Sequence, residues 1–276
     1  MSALLRFALS LGLVFTLAGC SSAPGGAAPQ PVEETSSTTA TGTPGDNSTV
    51  VMQMESGEHR AESQPQGFLA LPPGGKGPGV LVLHAWWGLN ETIKDVCTQL
   101  ARAGFVAYAP DLYHGKVADN IADAEALSQA LGANNLRAKA DLAEATRFLS
   151  ERSAGADRGL AVIGFSLGAY YALDLAAANP DIHSVVLFYG TGGTDHGTSR
   201  AAYLGHFAES DEFEPQSKVD DLEASLKRAG RPVMFHLYSG TGHWFFEPDR
   251  PQAYNQEAAL LAWDRTLAFL RRSPNS

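Results

Sequence analysis

The segment that most constrains this chain is a five-residue turn, Gly164-Phe165-Ser166-Leu167-Gly168, set between an apolar run and a strong helix former. Residues 160–163, Leu-Ala-Val-Ile, are apolar with β-branched members, which suits a buried strand of a parallel sheet. From Leu167 onward the chain is rich in Ala and Leu until Asn179-Pro180 stops it, which predicts a helix. A Gly-x-Ser-x-Gly turn between strand and helix is so sharp that a side chain at either flank would crowd the neighbouring backbone. The serine is held in a strained conformation with its hydroxyl exposed. Chance alone would produce the pentapeptide in roughly a fifth of chains with this glycine and serine content, so the flanking strand and helix carry the argument.

Around that unit, strand and helix signals alternate. Further apolar strands are expected at residues 80–84, 105–109, 184–189, 201–207 and 232–238. Asn90 can cap a helix that runs through Val96, Leu100 and Ala103 to a stop at Gly104. Other helices are expected at 121–131, 136–152, 219–229 and 254–270, and residues 50–54 and 67–71 read as two strands of an antiparallel edge. The alternation predicts an α/β fold, a doubly wound and mostly parallel sheet flanked by helices. At 276 residues and 44% hydrophobic, the chain suffices for one such core plus a tail.

Twenty Lys and Arg against thirty Asp and Glu leave a net charge of −10, which argues against a nucleic-acid partner. The first nineteen residues carry Arg6 and then an apolar stretch over 7–17, too short for a lasting transmembrane helix. They end in Leu17-Ala18-Gly19-Cys20, which resembles the lipobox of bacterial lipoproteins. The resemblance implies a signal peptide over 1–19, a lipid on Cys20 and an extracytoplasmic, membrane-anchored protein. Residues 20–48 are Ser, Thr, Pro, Gly and Ala with almost no large apolar side chain, a flexible tether, and 49–276 form the folded domain. Cys97 is the only other cysteine, so the lipidated chain has no internal disulfide; within a helix Cys97 reads as a buried, inert thiol.

A serine hydroxyl is a poor nucleophile at neutral pH and needs a base, and the base needs an acid to orient it. In α/β-hydrolases these follow in the order serine, acid, histidine, each after a strand. Asp211 follows the strand ending near Phe207, and His243 follows the strand ending near Tyr238. Glu209, two residues earlier, could take the acid's place. His206 and His236 fall inside strands, His59, His183 and His196 lie in weakly patterned regions, and His114 precedes the serine. His84 ends the strand before the early loop, where it can be structural or contact substrate. The oxyanion hole is expected from the backbone N–H of Leu167 and, in the early loop, of Trp86. No metal or cofactor is expected, since no His, Cys or carboxylate cluster has ligand spacing.

From about Ser63 to the last helix the chain resembles the dienelactone hydrolase family. The resemblance is carried by His84-Ala85-Trp86-Trp87-Gly88-Leu89-Asn90, by Tyr108-Ala109-Pro110-Asp111-Leu112-Tyr113 and by the Ser166 turn. Asp211 in Ser-Asp-Glu-Phe-Glu-Pro and His243 in Gly-Thr-Gly-His-Trp-Phe complete it. It implies the α/β-hydrolase fold and ester hydrolysis. Three departures stand out. The type members carry Cys as nucleophile, where this chain has Ser166. They carry a Glu that controls the thiol's proton, where this chain has Ala85. Similar enzymes place Arg shortly after the catalytic His, where this chain reads Trp244-Phe245-Phe246-Glu247. An acid at that place repels a carboxylate, so the expected substrate is a small neutral ester with an apolar part, met by Trp86, Trp87, Trp244 and Phe245, with His84 at the pocket's edge. Amide or peptide hydrolysis on the same scaffold, and a lipid-anchored binding protein with a vestigial triad, are the alternatives.

Overall fold

The computed structural model describes residues 64–154, 159–193 and 195–272. The signal segment, Cys20, the tether and the strand expected at 50–54 lie outside these residues. The described chain builds one seven-stranded sheet. Its strands are β1 (Gly67–Ala70), β2 (Gly79–Leu83), β3 (Val106–Pro110), β4 (Leu160–Phe165), β5 (Ile182–Phe188), β6 (Ala202–Ala208) and β7 (Val233–Tyr238), in the spatial order β1-β3-β2-β4-β5-β6-β7. All neighbours are parallel except β1, which runs antiparallel to β3 with Gly67 opposite Pro110 and Ala70 opposite Ala107. The fold class expected from the alternation of elements is the one found.

Six helices cover the sheet: α1 (Glu91–Arg102), α2 (Ile121–Ala133), α3 (Asn135–Arg152), α4 (Leu167–Ala178), α5 (Gln216–Arg228) and α6 (Gln256–Arg271). The strands are buried on both faces because alternate residues serve alternate layers. Leu81 and Leu83 of β2 pack with Leu142 and Leu149 of α3 and Leu173 of α4, and α5 joins this layer through Leu222 and Leu226. Val80 and Val82 face the other way, onto Ile93, Val96, Cys97 and Leu100 of α1 and Ala258, Ala259 and Ala262 of α6. Each such side chain fully removed from water contributes about 1.5–3 kcal/mol before entropy is charged against it.

Helix starts differ from the sequence expectation where the first turn is polar. α5 begins at Gln216 rather than 219: Pro215 stands at the cap, its carbonyl accepts from Lys218 N at 2.9 Å, and the helix starts three residues before its first buried side chain, Val219. α6 begins at Gln256 rather than 254 because the Asn255 side chain accepts from Ala258 N at 3.1 Å, a cap that fixes the start. Asn90 caps α1 as expected, accepting from Ile93 N at 3.1 Å.

The parallel strands all deliver their C-terminal ends to one edge of the sheet, and β4 does so against its neighbours' backbone. A Cβ on Gly168 would collide with the carbonyl oxygen of Leu83, and one on Gly164 with that of Gly168. The two glycines therefore let α4 turn back directly under the end of β2. Gly168→Ala is expected to lower stability by about 3 kcal/mol in urea denaturation, because the colliding atoms are backbone and cannot rotate away. Gly74→Ala, at a glycine whose Cβ would meet nothing, is expected to stay within about 0.5 kcal/mol of the parent.

Candidate active site

Ser166 sits between β4 and α4 with φ 50° and ψ −110°, a conformation rare for any residue but glycine. Its N–H donates to Phe188 O on β5 at 2.9 Å, which holds the turn to the sheet. The hydroxyl meets His243 Nε2 at 2.9 Å, and His243 Nδ1 meets Asp211 Oδ2 at 2.8 Å. The three residues come from the ends of β4, β6 and β7, separated by 32 to 77 positions in sequence.

Asp211 is oriented by its own loop: Oδ1 accepts from Phe213 N and Glu214 N, both at 2.9 Å, leaving Oδ2 for the imidazole. Both partners are desolvated, with side chains 2% (Asp211) and 5% (His243) exposed. Glu209 is occupied elsewhere. Its Oε2 accepts from Gly240 N at 2.8 Å in the turn after β7, so of the two acids weighed from the sequence only Asp211 faces the histidine.

The early loop runs from the end of β2 as a tight turn in which Gly88 N donates to Ala85 O at 3.1 Å. Trp87 O accepts from Ala118 N at 2.9 Å, and Gly88 bridges Val117, so the loop is pinned from outside. The N–H groups of Trp86 and of Leu167, the first residue of α4, make no hydrogen bond among the described residues. The closeness of Leu83 O and His84 O to Gly168 brings the two backbone segments together. Leu167 also lies at the positive end of the α4 dipole.

Aromatic rings enclose the histidine. Tyr189, Phe213 and Trp244 have ring centroids 5.0, 4.9 and 4.9 Å from that of His243. Trp86 stacks on Trp244 at 5.8 Å and meets Phe213 at the same distance, while Trp87 lies behind both tryptophans. Phe213 is 43% exposed and forms the outer rim. Trp244 has φ 65°, a left-handed backbone for a bulky residue immediately after the histidine.

Four sequence expectations are corrected here. Phe245 is fully buried against Tyr189 and Tyr238 and belongs to the core, because the chain after Trp244 turns inward to pack under β5 and β7. His84 is also fully buried. Its Nδ1 donates to Ala85 O at 2.7 Å and its ring lies 4.8 Å from Tyr113; burial depresses its pKa, against the Ala85 hydrogen bond and the nearby Asp111. It is a structural histidine of the strand end. Trp87 is 3% exposed, carries the Arg250 guanidinium 3.6 Å over its ring, and backs the aromatic rim rather than lining it. Arg250 is in turn paired with Asp249 at 3.4 Å.

The fourth concerns Glu247, expected to repel an anionic substrate. It is 1% exposed and its Oε1 accepts from the Tyr189 hydroxyl at 2.7 Å. Burial pushes its carboxyl up to about 8, with Asp249 adding to the rise and the Tyr189 hydrogen bond and Arg250 opposing it. Near neutrality it is largely uncharged and faces the interior, so it repels nothing at the rim. Phe213 and Tyr189 were not singled out from the sequence. Their signals were present: Phe213 lies two residues past the acid, and Tyr189 ends a parallel strand on the site edge. Among the described residues no group of three or more His, Cys, Asp or Glu side chains is arranged to hold a metal ion.

A parallel sheet with a strained serine at a strand-to-helix turn, and a histidine and an aspartate delivered by two later strand ends, defines an α/β-hydrolase. The family model described as "Dienelactone hydrolase family" matches residues 66–273, and the chain belongs to that family. "Protein usf" of Aquifex pyrophilus is 35% identical over 220 residues, covering 75% of this chain and 92% of that protein. A protein of Aquifex aeolicus described as "Putative carboxymethylenebutenolidase" is 31% identical over 214 residues, covering 75% and 92%. Among solved structures, the "Putative Dienelactone Hydrolase" of Klebsiella pneumoniae superposes with a TM-score of 0.63 at 25% identity, over 72% of this chain and 88% of that one. These likenesses make the chain a hydrolase of this family.

Glu247 gives a pH signature. Folded, it keeps its proton to about pH 8; its ordinary value is 4.5. Its contribution to stability is therefore fully present below about pH 4.5 and is lost as pH rises toward 8. Urea denaturation of the wild type is expected to show stability falling by about 3 kcal/mol between pH 5 and pH 8 from this group, and Glu247→Gln is expected to lose most of that slope.

Proposed function

We propose that this protein is a serine esterase that cleaves small neutral carboxylic esters through an acyl-enzyme, held on the outer side of a bacterial membrane by a lipid on Cys20. The observation that carries the catalytic reading is the unbroken chain from Ser166 Oγ to His243 Nε2 at 2.9 Å and from His243 Nδ1 to Asp211 Oδ2 at 2.8 Å. Ser166 attacks the ester carbonyl carbon while its proton passes to His243 Nε2, and the carbonyl electron pair moves onto oxygen. The N–H groups of Leu167 and Trp86 receive that oxyanion; donors fixed in advance cost no reorganisation when the charge appears. Collapse of the tetrahedral intermediate expels the alkoxide, which takes the proton from His243. Water then repeats the sequence on the acyl-enzyme and returns Ser166 to its starting state. Asp211 keeps the imidazole in the tautomer with Nδ1 protonated and stabilises the imidazolium that forms in each half-reaction.

A neutral ester is supported by the aromatic rim of Trp86, Phe213 and Trp244 rather than by Glu247, and by the pairing of Arg250 with Asp249. Rings of this kind take up apolar acyl or alcohol groups and offer no counter-charge. The lipid anchor is supported by Leu17-Ala18-Gly19-Cys20 at the end of a short apolar segment. No helix among the described residues is long and apolar enough to cross a membrane.

Labelling of the full, detergent-solubilised chain with a fluorophosphonate tests the reading. Wild type is expected to label stoichiometrically, Ser166→Ala not at all, and Asp211→Asn to hydrolyse a short neutral ester about 10²–10⁴-fold more slowly, with Glu209→Gln within twofold of wild type. A folded wild type that neither labels nor turns over ester would remove the esterase. Cys20→Ser is expected to move the protein from the membrane fraction to the soluble one on cell fractionation.

A further inference from the structure

Tyr189 and Glu247 form a buried pair that the steps above do not use. Tyr189 is fully buried at the end of β5, with φ 36°, unfavourable for a side chain of its size, so surrounding packing must hold it. Its N–H donates to His206 O at 2.8 Å, which ties its backbone to β6, and the neighbouring Phe188 O anchors Ser166 N. The phenol spans two functional groups: the ring lies 5.0 Å from the His243 imidazole at an interplanar angle of 61°, and the hydroxyl donates to Glu247 Oε1 at 2.7 Å. Glu247 belongs to the segment that carries the histidine, and its own N–H closes that segment onto Trp244 O at 2.9 Å.

We infer that Tyr189 and Glu247 form a positioning pair for His243, the Tyr189 ring packing against the imidazole and the buried Glu247 carboxyl holding the phenol in place. The His243 ring can swing about its Cα–Cβ and Cβ–Cγ bonds once its hydrogen bond to Ser166 is given up in proton transfer. The Tyr189 contact, with Phe213 and Trp244, closes off that swing, and the Glu247 hydrogen bond in turn fixes the phenol. The inference rests on the esterase reading for its kinetic consequence. Its structural consequence, a single fixed setting of the His243 ring, stands apart from turnover.

The experiment is NMR of the His243 ring protons at one fixed pH in the full, detergent-solubilised chain, for wild type, Tyr189→Phe, Glu247→Leu and Glu247→Gln, with ester kinetics on the same samples. The inference expects one sharp set of His243 ring resonances in wild type and in Glu247→Gln, and exchange-broadened ones in Tyr189→Phe and Glu247→Leu. It also expects Tyr189→Phe and Glu247→Leu to lose about tenfold in kcat with KM within twofold, and Glu247→Gln, which restores an acceptor for the phenol, to recover most of that loss. His243 ring resonances as sharp in Tyr189→Phe and Glu247→Leu as in wild type overturn it, and so does wild-type kcat in Tyr189→Phe. Fluorophosphonate labelling of the wild type separates the two readings. If the wild type does not label, the esterase has failed and the ring resonances alone decide the pair.

Discussion

The site depends on one backbone constraint, the left-handed conformation of Ser166 at the end of β4. A serine in ordinary strand or helix geometry at this point would bury its hydroxyl between layers. Holding φ at 50° costs on the order of 1–3 kcal/mol, which the fold offsets by tying Ser166 N to Phe188 O and by close approach of α4 to the end of β2. The same close approach sets the N-terminus of α4 beside the Trp86 turn, so the strain that exposes the Ser166 hydroxyl also brings the Trp86 and Leu167 N–H groups together. The proposed nucleophile and oxyanion donors are thus consequences of one turn, and neither can be moved without the other.

Most of this arrangement was legible in the sequence because each part leaves a chemical trace of its own. The turn is marked by glycines that backbone collision requires, Asp211 and His243 by their places after strands, and the sheet by apolar runs that alternate with helix formers. Orientation was the part that left no trace. From its place shortly after His243, Glu247 is expected to face the pocket and repel a carboxylate, yet it turns inward because Tyr189, 58 positions earlier, supplies the hydrogen bond that makes its burial tolerable. Phe245 and Trp244 are adjacent aromatics of similar hydrophobicity. One is core and the other rim, and the difference lies in the positive φ of Trp244, which composition does not encode. The polar first turns of α5 and α6 were misplaced for a related reason. An apolar pattern locates what is buried, whereas the caps, Pro215 and Asn255, decide where the helix begins.

The charges around the imidazole can be followed one by one. Glu209 is spent on the turn after β7, and Glu214 accepts from the Thr191 hydroxyl at 2.6 Å. Where the family's type members carry a Glu in the early loop, this chain has Ala85, 1% exposed, with its carbonyl oxygen engaged by His84 and by Gly88 N. No acidic side chain from that loop can therefore compete for His243. Asp211 is left as the one carboxylate hydrogen-bonded to the ring, with Glu247 held behind a phenol.

These placements suit the serine nucleophile proposed above. A thiol nucleophile can be stored as an anion and needs neighbours that manage its resting proton. An alcohol cannot be ionised in advance, and its proton must leave during attack, so it needs a base that is free, correctly tilted and already desolvated. Burying His243 among Tyr189, Phe213 and Trp244 supplies the desolvation and the tilt, at the cost of making any imidazolium dependent on Asp211 for its only direct counter-charge. On the proposed mechanism, Ala85 in place of Glu and Ser166 in place of Cys are two halves of one change, and the aromatic enclosure of the histidine supports the serine half.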